Sequence, residues 1–524
     1  MNSTSPLSQL CSPVKIPNPT LFGAEILNLS ANLVTNYSSY APEQYNYNHP
    51  SIYADGLDFC NITVTYTHPG ENDTINVETW LPLKWNERLQ AVGGGGTVAG
   101  RFMLSYIVMN GAIAEGYATV TTDAGLPTDL TSLHSPLLSP GNTQLYEQLN
   151  FGSVSLNDEA IIAKSLIKSF YGRPQRYSYW SGCSQGGRQG FTLAQRYPTA
   201  YDGIVASAPA MNTPRFAPSL YYPQLVMNQL GRYPRNCELN AITEAAISAC
   251  DKDDGVTDGV ISDPASCDFD PLSVVGKVFN CSDTGSNMKI SHDAAVVANA
   301  TWSGPFSHLE RRIWYGLEKG TIIAGSNGET TGIASTTCSS NGTCTGTLNQ
   351  GSSYLQGYVA KDPIFDVTNV TLKEYTDMIH FGIQQFDAFT GSNDPDLTAF
   401  REVGGKILSY HGLSDPIIPP GGSRHYYDTV SEVIPEVHDF YRLFEVPGLS
   451  HCSGGMGGQP TTIFDQMVAW VENGTVPDTI PVNFKDGQGK TQNRILCPYP
   501  QKAQFNSTCG DSSKAECFHC SESA

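Results

Sequence analysis

Short apolar runs alternate with longer amphipathic ones over residues 57–209, and again from about residue 400 to the end. In the first region, residues 89–92 (LQAV) and 117–122 (YATVTT) are short, largely apolar or β-branched runs, which predict buried strands. A helix is expected from Asn157 in NDEAIIAKSLIKSFYG: acids fill its first turn, apolar positions recur at i, i+3 and i+4, and Gly172 ends it. Residues 176–180 predict a strand, 187–197 a helix, and 201–209 another strand. In the second region 406–412 and 440–447 read as strands and 461–473 as an amphipathic helix. Strands separated by helices imply a parallel sheet covered on both faces. Residues 210–400 break the rhythm, being rich in Asn, Gly, Ser and Thr and weakly periodic. The expected organisation is an α/β catalytic domain from 1–209 and 401–524, with 210–400 inserted as a second domain.

Composition narrows the class. Fifty acidic residues against 30 basic ones give a net charge of −20, a field that repels nucleic acid and anionic membranes. No apolar run approaches the ~18 to 20 residues of a membrane span. The chain has fourteen cysteines, and eleven N-x-S/T sequons begin at Asn2, Asn28, Asn36, Asn61, Asn72, Asn280, Asn299, Asn341, Asn369, Asn473 and Asn506. Disulfides and glycans together point to a secreted, extracellular protein. The stretch MNSTSPLSQLC lacks an apolar h-region, so the expectation is a chain without its signal peptide. Cys338 and Cys344 bracket a small loop expected to be stapled at its base, and Cys11–Cys60 is a second expected pair.

Gly182-Cys-Ser184-Gln-Gly186 matches G-x-S-x-G, in which a serine sits on a strained strand-to-helix turn. The pentapeptide is common, but here a predicted strand precedes it and a predicted helix follows, as the motif requires. A serine hydroxyl needs a base, and the base needs an orienting acid. In the α/β-hydrolase order these follow as acid, then histidine, each in a loop after a strand. Asp415 in HGLSDPIIPP and His451 in VPGLSHCSGG meet that order. His411 is expected to be a buried hydrogen-bonding residue and His425 to open a surface helix. Asp439 and Glu445 fall in or beside a strand.

Gly93-Gly-Gly-Gly96 follows a buried strand, where such hydrolases place the donors of an oxyanion hole. Gly94, Gly95 and the N–H of Gln185 are the expected donors. Cys183 precedes the serine and Cys452 follows the histidine, so assembly of the triad would bring the two sulfurs together. A Cys183–Cys452 bridge is therefore expected to tether base to nucleophile.

These residues carry a likeness. The set Cys183-Ser184, Asp415 and His451-Cys452, together with GCSQGGRQG, YDGIVASAPA, KILSYHGLSDPII and AWVENG, resembles the fungal tannase/feruloyl esterase family. That resemblance implies an α/β-hydrolase core with a lid domain inserted between serine and aspartate, and hydrolysis of phenolic-acid esters. Feruloyl or other hydroxycinnamoyl esters of plant cell-wall polysaccharide are the expected substrates, with galloyl esters, the tannase reaction, as the alternative. It also implies a structural Ca2+ in Cys250-DKDDGVTDGVISDPAS-Cys267, held by the side chains of Asp251, Asp254 and Asp258 and the carbonyls of Val256 and Val260. That loop is not an EF-hand, since Gly255 stands fifth and no glutamate stands twelfth. A Cys250–Cys267 bridge would close it. No organic cofactor is expected, and the protein would act as a monomer or homodimer. The competing reading is a catalytically silent, calcium-dependent glycan-binding protein on the same scaffold.

Overall fold

The structure, a computed structural model, describes residues 7–129, 136–325 and 332–522; the Asn2 sequon lies outside them. The molecule is mixed α/β, built on one nine-stranded central sheet. Its strands in chain order are β1 (Glu25–Ala41), β2 (Ile52–Thr67), β3 (Ile75–Pro82), β4 (Arg88–Val92), β5 (Ala118–Thr122), β6 (Tyr177–Cys183), β7 (Gly203–Ser207), β8 (Lys406–Gly412) and β9 (Tyr441–Val446). Across the sheet they run β1-β2-β3-β5-β4-β6-β7-β8-β9. The first four pair antiparallel, and from β5 onward every neighbour is parallel.

The helices that matter here are α1 (Met103–Ala114), α2 (Ser155–Tyr171), α3 (Gln185–Arg196), α4 (Asn236–Cys250), α5 (His292–Ser303), α6 (Leu372–Thr390), α7 (Gly421–Val433) and α8 (Ile463–Asn473). Successive strand residues face opposite ways, so neighbours in sequence join different cores. Ile204, Ile407 and Leu443 pack with α2, α3 and α7. Val205, Leu408 and Phe444, each the next residue along, pack with α1 and α8 on the other face. Burial on both faces explains why the parallel strands lack the regular apolar–polar alternation of a half-solvated sheet.

The predicted strands and helices from 89 to 209 and from 406 to 473 are present, with ends displaced by a few residues. Two regions were not foreseen. β1 and the first half of β2 form a long antiparallel arm whose residues are mostly exposed. Beyond α8 the chain makes two antiparallel hairpins, Ile480–Lys485 with Thr491–Leu496 and Gln501–Phe505 with Phe518–Glu522, outside the central sheet. Between β7 and β8 the chain is mainly helical and gathers its own apolar cluster, to which α4, α5 and α6 contribute Leu239, Val297 and Ile379.

All fourteen cysteines are paired: Cys11–Cys60, Cys183–Cys452, Cys237–Cys281, Cys250–Cys267, Cys338–Cys344, Cys497–Cys520 and Cys509–Cys517. Nine of the ten described sequon asparagines are exposed. The tenth, Asn61, is half-buried within β2, and its Nδ2 donates to Glu78 Oε1 at 3.0 Å.

Candidate active site

Ser184 sits between β6 and α3 with φ 63° and ψ −119°, a conformation that L-residues adopt only under strain. Close approach of the surrounding backbone dictates the glycines. A Cβ on Gly182 would lie 2.5 Å from the Gly186 carbonyl, and one on Gly93 would lie 2.5 Å from Gly186 Cα. The Ser184 N–H donates to the Ser207 carbonyl at the end of β7 (3.0 Å). Gln185 is the first residue of α3, and its N–H has no partner among the described residues. A helix N-terminus therefore opens beside the hydroxyl, where negative charge is favoured.

Asp415 and His451 follow β8 and β9. His451 Nδ1 lies 2.7 Å from Asp415 Oδ2. The other carboxylate oxygen accepts the N–H groups of Ile417 and Ile418, both at 2.9 Å. Asp415 is fully buried, which alone would raise its pKa. The facing charge of His451, with hydrogen bonds from His411 and His451, outweighs burial and holds the carboxyl well below the usual range.

His411 is buried, as expected, but in contact with the site. Its Nε2 lies 3.0 Å from the Ile418 carbonyl and 3.3 Å from Asp415 Oδ2, and its Nδ1 is 2.7 Å from Ser423 Oγ. A carbonyl only accepts, so Nε2 carries a hydrogen. His425 is exposed on α7. Glu445 pairs with Arg424 (2.6 Å) rather than with either histidine.

The Cys183–Cys452 bridge, with Cα atoms 6.0 Å apart, links the residue before Ser184 to the residue after His451. Ser184 and His451 line the same cavity of about 510 Å³. Among the described residues no hydrogen bond joins Ser184 Oγ to the imidazole. Apo sites of this kind often tighten only with substrate bound.

The glycine loop corrects the choice of donors. The Gly94 N–H donates to Gln189 Oε1 (2.9 Å) and the Gly95 N–H to the Val98 carbonyl (3.1 Å), so both are occupied. Gly96 and Thr97, at the tip of that turn, have N–H groups without a partner among the described residues and line the cavity. The two free amides lie within the Gly95–Val98 turn, which sequence alone did not indicate.

The cavity lies between the sheet's glycine, serine and histidine loops and the helical segment, which contributes Phe216, Tyr354 and Tyr358. Its described lining holds no Asp, Glu, Lys or Arg. Beneath it, Arg188 is fully buried without a carboxylate partner among the described residues. It donates to Gln185 Oε1 (2.8 Å) and to the carbonyls of Phe151 (2.8 Å) and Gly152 (2.9 Å). Burial, and then the nearby Arg196 charge, bring its pKa down to about 9.

The acidic loop 251–260 lies away from this cavity and against the C-terminal hairpins. Its donors are oxygens, as a hard cation requires. Burial, and then the charges of the neighbouring loop aspartates, raise Asp254; Asp258 is also raised by burial, with the Arg494 charge opposing. The carbonyls of Val256 and Val260, both buried residues, accept no hydrogen bond among the described residues. Asp258 Oδ2 also pairs with Arg494 (2.6 Å), and the three carboxylates are not drawn to within 4.8 Å of one another. The all-oxygen donor set is of the kind a hard cation takes, while Asp258 is also engaged by Arg494.

A family model described as tannase and feruloyl esterase matches residues 60–521. A relative named "Probable feruloyl esterase", from Arthroderma benhamiae, is 37% identical over 97% of this chain and 93% of its own. The tannase of Aspergillus oryzae is 29% identical over 93% of this chain and 88% of its own. The solved tannin acyl hydrolase from Aspergillus niger superposes with a TM-score of 0.87 at 27% identity, covering 99% of this chain and 96% of that one. From β1 to the last hairpin, this chain belongs to the tannase and feruloyl esterase family of carboxylic ester hydrolases.

Proposed function

We propose that Ser184 is the nucleophile of a secreted esterase acting on phenolic-acid esters, with His451 as general base and Asp415 as its orienting acid. His451 Nε2 takes the hydroxyl proton as Ser184 attacks the ester carbonyl, then returns it to the departing alcohol. Water releases the acyl group by the same route. The Gln185 N–H, with Gly96 or Thr97 from the glycine loop, stabilises the oxyanion. The observation that carries this reading is the Asp415–His451 hydrogen bond tethered through Cys183–Cys452 to a strained serine beside a cavity.

Residues 210–400 act as the lid of an α/β-hydrolase core, a role supported by their separate apolar cluster and their share of the cavity wall. The acyl group is hydroxycinnamoyl rather than galloyl. A galloyl ring presents three adjacent O–H donors, best met by ionised acceptors. The described lining offers instead apolar faces from Phe102, Phe151, Phe216 and Ile418. The relative named as a feruloyl esterase points the same way; a plant polysaccharide on the alcohol side is what the family resemblance implies. Seven disulfides and nine exposed sequons support secretion. Asp251, Asp254, Asp258, Val256 and Val260 would hold a calcium ion whose contribution is structural.

Hydrolysis of a p-nitrophenyl acyl ester should fall to background in Ser184→Ala, and an unchanged rate removes the esterase reading. The intact enzyme should show kcat/KM on methyl ferulate at least about tenfold above methyl gallate. The reverse ratio would make it a tannase.

A further inference from the structure

The connection between β1 and β2 crosses beneath the catalytic loops, and nothing in its sequence, PEQYNYNHPS, marks it as part of a site. Asn48 within it is wholly buried and holds φ 73°, a left-handed conformation unusual for a side-chain-bearing residue. Its Nδ2 donates to Ser181 Oγ (2.9 Å), and its Oδ1 accepts from Ser207 Oγ (2.5 Å). Both serines are buried. Ser181 lies on β6 and Ser207 ends β7, so one amide spans the two strands that carry the nucleophile turn.

The main chains of the same two serines hold catalytic groups. The Ser181 carbonyl accepts the Gly93 N–H (3.2 Å), where the glycine loop begins, and the Ser207 carbonyl accepts the Ser184 N–H (3.0 Å). The flanking residues reach the histidine loop: Ser453 Oγ donates to the Gln44 carbonyl (2.9 Å) and Gln459 Nε2 to the Glu43 carbonyl (2.7 Å). Tyr47 packs against the Cys183–Cys452 bridge and lines the cavity.

We propose that Asn48 is a positioning residue for ester hydrolysis, clamping Ser181 to Ser207 so that the glycine loop and Ser184 keep one relative position. The satisfied geometry of the amide supports this. A carboxamide carries its N–H donors and its carbonyl acceptor on two separate atoms of one planar group, so it can bridge two hydroxyls that a single hydroxyl or an aliphatic side chain of this size would not span. Without it two buried hydroxyls lose a partner, and the ends of β6 and β7 are free to shift by the fraction of an ångström to which an acyl-transfer site is sensitive.

The inference rests on Ser184 being the nucleophile, and the test separates the two. Asn48→Gly removes the amide while suiting the left-handed backbone. With rates normalised to the fraction titrated by a p-nitrophenyl phosphonate, it should lower kcat about 10- to 100-fold and leave KM within about twofold. Ser207→Ala, a milder change, should lower kcat in the same sense, and the double variant should be little worse than Asn48→Gly alone. A kcat within about twofold of the parent in both single variants, or a loss residing in KM, overturns the positioning role whatever happens to the melting temperature. If Ser184→Ala remains as active as the parent, the nucleophile assignment falls instead.

Discussion

Asp415 shows how much one buried carboxylate is asked to do. Its Oδ1 is saturated by two backbone N–H groups, and its Oδ2 faces two imidazoles. Replacing it by asparagine keeps the acceptor toward Ile417 and Ile418 but turns an NH2 group toward His451 Nδ1. The imidazole is then driven to the wrong tautomer, and kcat should fall about 10³- to 10⁴-fold with little change in KM. The substitution has a stability signature as well. The folded pKa of Asp415 is depressed, so its contribution is present above the unfolded value near ~4 and is lost as pH falls below it. The melting-temperature gap between parent and Asp415→Asn should therefore narrow on acidification from about pH 5 to pH 3. A gap independent of pH would mean that the carboxylate is not held ionised by its partners.

At the scale of elements, the join between β2, β3 and α2 depends on one histidine. His68, at the end of β2, lies 2.6 Å from Asp73 Oδ2 through Nδ1 and 3.2 Å from Asp158 Oδ2, on α2, through Nε2. Burial alone would lower its pKa, but the Asp73 hydrogen bond and the charges of Asp73, Asp158 and Glu71 raise it. A raised folded pKa gives stability that is complete below the unfolded value near ~6.5 and fades as pH rises through the folded one. His68→Gln should thus lose more melting temperature relative to the parent at pH 5.5 than at pH 8.5. Equal losses would sink the ion-pair account. The same arm explains what pattern reading overlooked. β1 buries two of its 17 residues, and its period-2 signal, Leu27, Leu29, Ala31 and Leu33 alternating with Asn28, Ser30 and Asn32, marks no core face. Asn48 lies between β1 and β2, beyond the reach of any local motif.

For the molecule as a whole, long-range ties decide how the parts sit together. The Cys183–Cys452 bridge spans 269 residues, and closing such a loop is worth roughly 5 kcal/mol in the chain-entropy model. The acidic loop pairs Asp258 with Arg494 of a C-terminal hairpin, and Val256 packs beneath Cys517 and Phe518. An ion in that loop would therefore stabilise the helical segment and the C-terminal hairpins together. EDTA should lower the melting temperature by about 5 °C or more, calcium should restore it, and Asp254→Asn should abolish the difference. No response to EDTA would reject the calcium proposal.

Residue pattern alone determined a great deal. The βα rhythm predicted a covered parallel sheet, and G-x-S-x-G between strand and helix located the strained serine. The chain order pointed to Asp415 and His451, and two flanking cysteines implied their bridge. Strand period, turn glycines and the motif are local and act over a few residues, while the triad and its bridge followed from the order of those local motifs along the chain. Only the folded structure decided which amides of the glycine loop are free, since Gln189 on α3 claims one and the local turn to Val98 claims another. It also decided that His411 touches Asp415, that Asn61 donates its amide to Glu78, and that Asn48 spans β6 and β7. The last two depend on hydrogen-bond partners that meet only when separate segments pack, and all are settled by tenths of an ångström that no sequence period encodes.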